Sequence, residues 1–567
     1  MKKQQTIAPK VSGEPVQLTS GEADIKESDA LNHLISEQDV GRRKTVAKDP
    51  CKRILITGVN SLVGHGLFEQ MRNDHLVVNS SQRPDKFMGT LIQRDAETVP
   101  VPNSSIKVLD SNKKPRTFAK SVLRSDKIII DLLSGSSLEE AEQIVKILKQ
   151  PIHESHSKQQ VLILISSAFT WANTKLPEGQ DCLTDANFAS RVPFPRFQMV
   201  KQMENLALTA AKFNKNLRVH VVCSGLPYGH GEANDVFYEF FRRAWLSLHP
   251  ELAALPVIGS GDNQLPTIHV EDLARCVRYL ADESGAQVKK QYLLAIDSCK
   301  ASTQREIMKT VSEGLGSGAI RNVTLGEVVD EDWAEMLTLD LNMKTSQEFL
   351  DMQEPWHCQE GITQASMKLL NEEFNLYRGL FPLKVYIGGP PGAGKTHFAK
   401  LIAESYGIPH LTIASMFDHA RQLNDELGEE VREKVEELKK AELEAYEKTR
   451  KKKDPDLDPS KIKVRLPDET VHKLVKAQIS SPACMNKGFI LDGYPRNAED
   501  AKAIFLNEVP TSARSQEEAP EETKSKEGDQ GPFPGFTMEE KILPQYTIIL
   551  EGENDALKQK LKELPAE

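Results

Sequence analysis

The chain has 567 residues, more than one hydrophobic core sustains, and a length prior gives roughly three or four domains. A formal charge of −10 and a pI near 5.9 exclude a general nucleic-acid binder, whose footprint is basic. No apolar run approaches the ~18 residues of a membrane span, and no apolar segment follows the first lysines as in a secretory signal, so we expect a cytoplasmic protein with neither nucleic-acid nor membrane partners.

Seven cysteines lie scattered without CxxC spacing, as reduced thiols of a cytosolic protein do. His357–Cys358 is an isolated pair without the partner spacing of a metal site. Residues 1–50 are polar and poor in aromatics, and read as a disordered lead-in.

From residue 51 to about 325, short apolar runs alternate with amphipathic stretches: RILITGV, HLVVN, SIKVLD, KIIIDLL, VLILISS, LRVHVVCSG and QYLLAID. Strands alternating with helices predict an α/β fold with a parallel sheet covered on both faces. Residues 326–380 read as a connector, and a second α/β domain spans 381–567. Within it, residues 420–453 are nearly all helix formers, and Leu427, Val431, Val435 and Leu438 form one narrow apolar stripe. That pattern suits a solvated helix packed along one edge. The KTRKKK cluster that ends it suits the negative end of the helix dipole. Residues 511–536 read as a disordered acidic insert, followed by one more strand (Tyr546–Leu550) and a short helix.

The strongest chemical signal is Gly389-Pro-Pro-Gly392-Ala393-Gly394-Lys395-Thr396, between the strand KVYIG and the helix that opens at His397. This is GxxxxGK[ST] in the strand–loop–helix setting the motif requires. Its glycines turn backbone N–H groups toward phosphates, Lys395 adds a point charge, and the Thr396 hydroxyl suits Mg²⁺. About a hundred residues later an apolar strand ends in Asp492, suited to hold Mg²⁺ through water. Gly493-Tyr494-Pro495-Arg496 then turns the chain and offers a guanidinium fork for phosphate oxygens.

This P-loop, YGIPHL, LPDETVHKLV (Leu466–Val475) and GFILDGYPR follow the order of the adenylate kinase family, which the second domain resembles. The resemblance implies Mg²⁺-dependent transfer from ATP to AMP or another nucleoside monophosphate. It implies that Gly389, Gly392, Ala393, Gly394, Lys395, Thr396 and His397 hold ATP. Gly493, Tyr494 and Arg496 would then meet AMP, and about 413–486 would form the monophosphate-binding insert. Lys395, Arg496 and Asp492 are the implied catalytic residues. Three departures stand out. Asp418 lies where the family carries an arginine, with Arg421 the nearest substitute. Asp500 replaces a glutamine that reads adenine. The family's arginine-bearing lid has no counterpart after the helix near 554–563, so we expect a piece or short form of a longer kinase.

The first domain resembles extended short-chain dehydrogenases and sugar-nucleotide epimerases. Gly58 and Gly64 match their dinucleotide loop, with Ser61 at the middle glycine, and Asp110, ILISSAFTWA, SGLPYGHGE and LPTIHVEDLARC follow in family order. The family's YxxxK becomes Phe197-x-x-x-Lys201, which has no ionisable proton at the acid position. HLVVNSS ends at Asn79 and Ser80, not at the acidic residue that receives an NAD ribose. Ser166 and Ser167 remain near the family's catalytic serine position. We read a Rossmann-like scaffold or interaction domain, with retained NAD(P) binding at Gly58 and Gly64 and oxidoreduction as the alternatives. The order of the two domains is similar to that of a ciliary and flagellar branch of the adenylate kinases, which implies axonemal protein partners. A catalytically weak ATP-binding scaffold is the rival reading of the whole chain.

Overall fold

A computed structural model describes residues 52–77, 85–92, 105–134, 138–149, 159–230, 236–246, 254–282, 284–297, 302–422, 426–449, 464–508 and 536–563. The polar lead-in, Asn79, Ser80, most of KTRKKK and nearly all of the acidic insert lie outside these residues. Two compact units divide the chain. Residues 1–166, 196–222 and 277–293 make the first, and 167–195, 223–276 and 294–567 the second.

The sheet centred on the first unit has seven strands: Arg53–Ile56 (β1), Lys86–Gly89 (β2), Lys107–Val108 (β3), Lys127–Asp131 (β4), Gln160–Ser167 (β5), Leu217–Ser224 (β6) and Tyr292–Ala295 (β7). Their order is β3-β2-β1-β4-β5-β6-β7, with parallel pairing from β3 through β5. This is the order of a doubly wound dinucleotide-binding fold. Strand β4 is buried along its whole length, as a central parallel strand must be when helices cover both faces.

The second strand corrects the sequence expectation. HLVVN is not a strand, because the helix Leu62–Val77 runs through its first three residues. The place beside β1 is taken by Lys86–Gly89, in the register Ile54↔Phe87 and Leu55↔Met88. Phe87 is buried and meets Phe68 edge-to-face at 5.0 Å, so pairing and packing override the β-propensity of Leu76 and Val77.

The second unit carries a four-stranded parallel sheet: Leu383–Gly388 (β8), His410–Leu411 (β9), Gly488–Asp492 (β10) and Tyr546–Ile549 (β11), in the order β9-β10-β8-β11. The helix Glu426–Thr449 turns Val431 and Val435 into a cluster with Leu474, Val475, Ile479, Phe489 and Leu491. Leu427 and Leu438 pack at its margin, so the apolar stripe covers the core beside β10.

Candidate functional site

Strands β8 and β10 pair in register, with Ile387 opposite Asp492, and the Gly493 amide donates to the Ile387 carbonyl at 2.9 Å. The P-loop leaves β8 beside the end of β10, which places Lys395 and Asp492 at one edge of the sheet. Gly394, at φ 89°, caps the helix Lys395–Tyr406, and a left-handed residue there favours glycine. The Lys395 ammonium folds back and donates to the carbonyls of Gly389 (2.9 Å) and Pro390 (3.0 Å). Thr396 and His397 are exposed on the first turn, with Gly392 and Ala393 half-buried behind them. A helix N-terminus with open amides and a lysine beside it is a ready phosphate site.

Asp492 is nearly covered, its side chain 4% exposed, and accepts a bond from His410 Nε2 at 3.1 Å. One carboxylate at a strand end and one exposed hydroxyl on the facing helix are the oxygen donors a largely hydrated Mg²⁺ takes. Asp492 and Thr396 therefore fit that ion.

The turn after β10 is held from several sides. The Tyr494–Pro495 peptide is cis, and the Tyr386 hydroxyl donates to the Pro495 carbonyl at 2.9 Å. The Arg496 amide donates to Asp500 Oδ2 at 3.2 Å, His472 Nε2 lies 3.0 Å from Asp500 Oδ1, and the Asn497 side chain caps the next helix by accepting from the Asp500 amide. Burial tends to raise the Asp500 pKa, but the bonds from His472 and the Arg496 amide hold it below the usual carboxylate value. Burial, with the Asp500 charge, pushes the Tyr494 hydroxyl up to about 12. Asp500 thus braces the turn that presents Arg496, a role its replacement of the family glutamine does not announce. The Arg496 guanidinium lies 6.0 Å from the Tyr494 ring, at the outer limit of a cation–π contact. On the helix Ile413–Gln422, Asp418 is exposed and the Arg421 guanidinium lies 5.7 Å from the Phe417 ring.

In the first unit, the dinucleotide loop is occupied by its own side chains. Gly58 takes a positive φ of 62°, and a β-carbon on Gly64 would stand 2.1 Å from the Gly58 carbonyl, so the tight glycine turn is present. Ser61 Oγ, however, accepts from the Gly64 amide at 2.9 Å and donates to buried Asp131 Oδ2 at 3.1 Å. The residue after β2 is Thr90, bonded to Glu140 at 2.6 Å, and it holds the strand-end position expected at Asn79 and Ser80, which lie outside the described residues. Ser166 donates to buried Glu204, and Ser167 accepts from the Phe169 amide at 3.2 Å. With the Gly64 amide committed, Ser166 engaged and Phe197 in place of the acid, these residues do not fit NAD(P) as a reacting cofactor.

No family model matches the sequence. Adenylate kinase 7 of Mus musculus is 29% identical over 470 residues, covering 78% of this chain and 70% of that protein. Its counterpart in Macaca fascicularis is 29% identical over 381 residues, covering 64% of this chain and 65% of that one. This chain is similar to adenylate kinase 7 over most of its length. An adenylate kinase of Thermotoga neapolitana is 40% identical over 129 residues, 23% of this chain and 46% of its own length. Among solved structures, dTDP-glucose 4,6-dehydratase of Bacillus anthracis in complex with NAD is similar at 12% identity and a TM-score of 0.42, covering 58% of this chain and all of that one. UDP-N-acetylglucosamine 4-epimerase of Bacillus cereus stands at 13% and 0.39. Among the described residues no helix is long and apolar enough to cross a membrane.

Proposed function

We propose that this adenylate kinase relative is a nucleoside monophosphate kinase, transferring the γ-phosphoryl group of ATP to AMP and giving two ADP. The observation that carries this reading is the placement of Lys395, folded over the Gly389 and Pro390 carbonyls, beside the β10 end that bears Asp492. A phosphate oxygen of AMP attacks the γ-phosphorus in line, and the bond to the β–γ bridging oxygen breaks. The chain's contribution is positioning and charge stabilisation. The loop amides of Gly392, Gly394, Lys395 and Thr396 hold the β-phosphate, the Ala393 amide donates to the Pro390 carbonyl within the loop, and His397 lies next to them on the helix. Lys395 leaves its carbonyl partners to meet the β- and γ-phosphates. Gly493 and Tyr494 shape the turn from which Arg496 orients the monophosphate. Mg²⁺, held through Asp492 and Thr396, supplies neutralisation of the phosphate charge when bound.

The activity would keep adenine nucleotides interconverted in the cytoplasm, beside the ATP-consuming machinery of cilia and flagella that the two-domain arrangement brings to mind. The Rossmann-like unit acts as a scaffold in this reading. ADP formation from ATP, AMP and Mg²⁺ by the purified chain, beside Lys395→Ala, tests it. Turnover abolished by the substitution supports the kinase. ATP binding that depends on Lys395 but gives no turnover supports the rival, an ATP-binding scaffold, to which Asp418 in place of the family arginine points.

A further inference from the structure

Away from the phosphate loop, the second unit gathers three histidines and two glutamates from four parts of the chain. Strands Leu226–Tyr228 and Thr267–His269 pair in parallel with Tyr228 opposite His269, which brings His230 near His269. Glu271 follows in the first turn of the helix Val270–Ala281, His357 comes from the connector, and Glu373 from the helix Met367–Arg378.

The contacts form a chain. His269 Nε2 lies 2.9 Å from Glu373 Oε2, and His357 Nε2 bonds the other oxygen of that carboxylate. Glu271 reaches His357 Nδ1 at 3.4 Å and His230 Nε2 at 2.9 Å. His269 is fully buried, and the Glu373 side chain is 11% exposed. One ligating atom from each of His269, His357 and Glu373 lies within 4.8 Å of the others. The fold gives up freedom to make this cluster. A β-carbon on Gly229 would stand 2.3 Å from His269 Nε2, and His230 is the one non-glycine residue with positive φ (53°) among those described. His230 Nδ1 is buried with no hydrogen-bond partner.

The surrounding charge is negative. Four carboxyl groups, Glu271, Asp272, Asp297 and Glu373, touch these histidines or their backbone amides, and Arg275 pairs with two of them, at 3.5 Å from Glu271 and 3.3 Å from Asp272. The Cys358 thiol donates to the Gly361 carbonyl at 3.4 Å.

We propose that His269, His357 and Glu373 form a site for one Zn²⁺-class ion, with solvent in the fourth tetrahedral position. Two imidazoles and a carboxylate suit Zn²⁺ and disfavour Mg²⁺ and Ca²⁺, which take oxygen donors. Ligation through Nε2 leaves His357 Nδ1–H to donate to Glu271, the carboxylate behind a ligand that fixes the ring. At His269 the other nitrogen accepts a long 3.3 Å bond from the Glu271 amide, which ligation gives up, so the expected affinity is micromolar. The ion would pin the connector and the helix leading to β8 onto the strand that ends at His269.

The test titrates the chelator-stripped full chain with Zn²⁺ against a chromophoric competitor, with excess Mg²⁺ present. One Zn²⁺ per chain is expected, with a raised Tm. His357→Gln and Glu373→Gln remove ligands and should weaken binding by more than the roughly 10–100-fold that loss of an outer-shell partner causes, whereas exposed His419→Gln should not. X-ray absorption of the zinc-loaded wild-type chain needs no variant, and should show imidazole nitrogens at about 2.0–2.1 Å. Unchanged affinity in both variants, an all-oxygen shell, or no Zn²⁺ bound at micromolar concentration overturns the site.

Discussion

Gly493 lies directly against the Lys395 side chain: a β-carbon built on Gly493 would stand 3.2 Å from the lysine Cε. The two residues are joined by the β8–β10 pairing, and the turn's positive φ of 68° is itself a glycine conformation. Gly493→Ala therefore strains the backbone and pushes the ammonium off its path. It should cost about 1 kcal/mol of stability and roughly tenfold or more in kcat. Steady-state assays with a thermal melt separate the two effects, and an unchanged kcat would remove Gly493 from the positioning of Lys395.

Lys395→Met keeps the apolar stem and removes the charge. On the kinase reading, kcat should fall about 10²–10³-fold, the usual loss when one preorganised donor to a developing charge is deleted. The Tm should stay close to wild type, because the ammonium's two partners are carbonyls of its own exposed loop. A residual rate within threefold of wild type would mean that phosphate charge is met elsewhere.

His472→Ala leaves one oxygen of Asp500 without its partner, in a side chain that is only 11% exposed. The expected loss is about 1–3 kcal/mol. The pH dependence has a definite sign. The folded pKa of Asp500 lies below its unfolded value, so this carboxylate contributes stability above the unfolded pKa and loses it as pH falls through the folded one. Urea midpoints between pH 7 and pH 3 should therefore converge for wild type and His472→Ala at the acid end.

Lys487 is 3% exposed and stands 5.4 Å from the Trp245 ring, and burial pulls its pKa down to about 8. Below pH 8 the ammonium is charged in both states and the full desolvation cost is present. Between pH 8 and the ordinary lysine value of 10.5 the folded state sheds its proton first, and stability rises with pH. Stability should rise over that interval in wild type, and Lys487→Met should flatten the rise. Urea midpoints at pH 7 and pH 9.5 check both.

Titration of NADH fluorescence should show no saturable binding to the full chain, because the Gly64 amide and the Ser61 hydroxyl already satisfy each other and Asp131. A saturable signal lost in Ser61→Asp would restore the dinucleotide reading of this loop.

The phosphate loop was legible because its function needs adjacent residues in one backbone shape, so spacing alone exposes it. Strand β2 was not, because Lys86-Phe87-Met88-Gly89 has no alternation that outweighs HLVVN; its place is set by pairing with β1 and by Phe68. The role of Asp500 was hidden for a related reason: His472, 28 residues away in sequence, decides it. His357 looked isolated beside Cys358, yet its partners sit 16, 86 and 88 positions off, at Glu373, Glu271 and His269. Only chain topology brings them together.

The short helix Pro482–Lys487 leads straight into β10, and Asn486 donates to the Gly314 carbonyl at 3.2 Å, the same carbonyl that Asn371 holds at 3.0 Å. A gene cut at residue 381 would follow the family boundary but tear this seam. The excised piece would lose the Gly314 partner of Asn486 and the Trp245 ring beside Lys487, two residues buried in the whole chain next to β10. The carbonyl of one glycine, Gly314, thus fastens both the helix before β8 and the helix before β10, so a boundary drawn at 381 runs through a shared hydrogen-bond anchor.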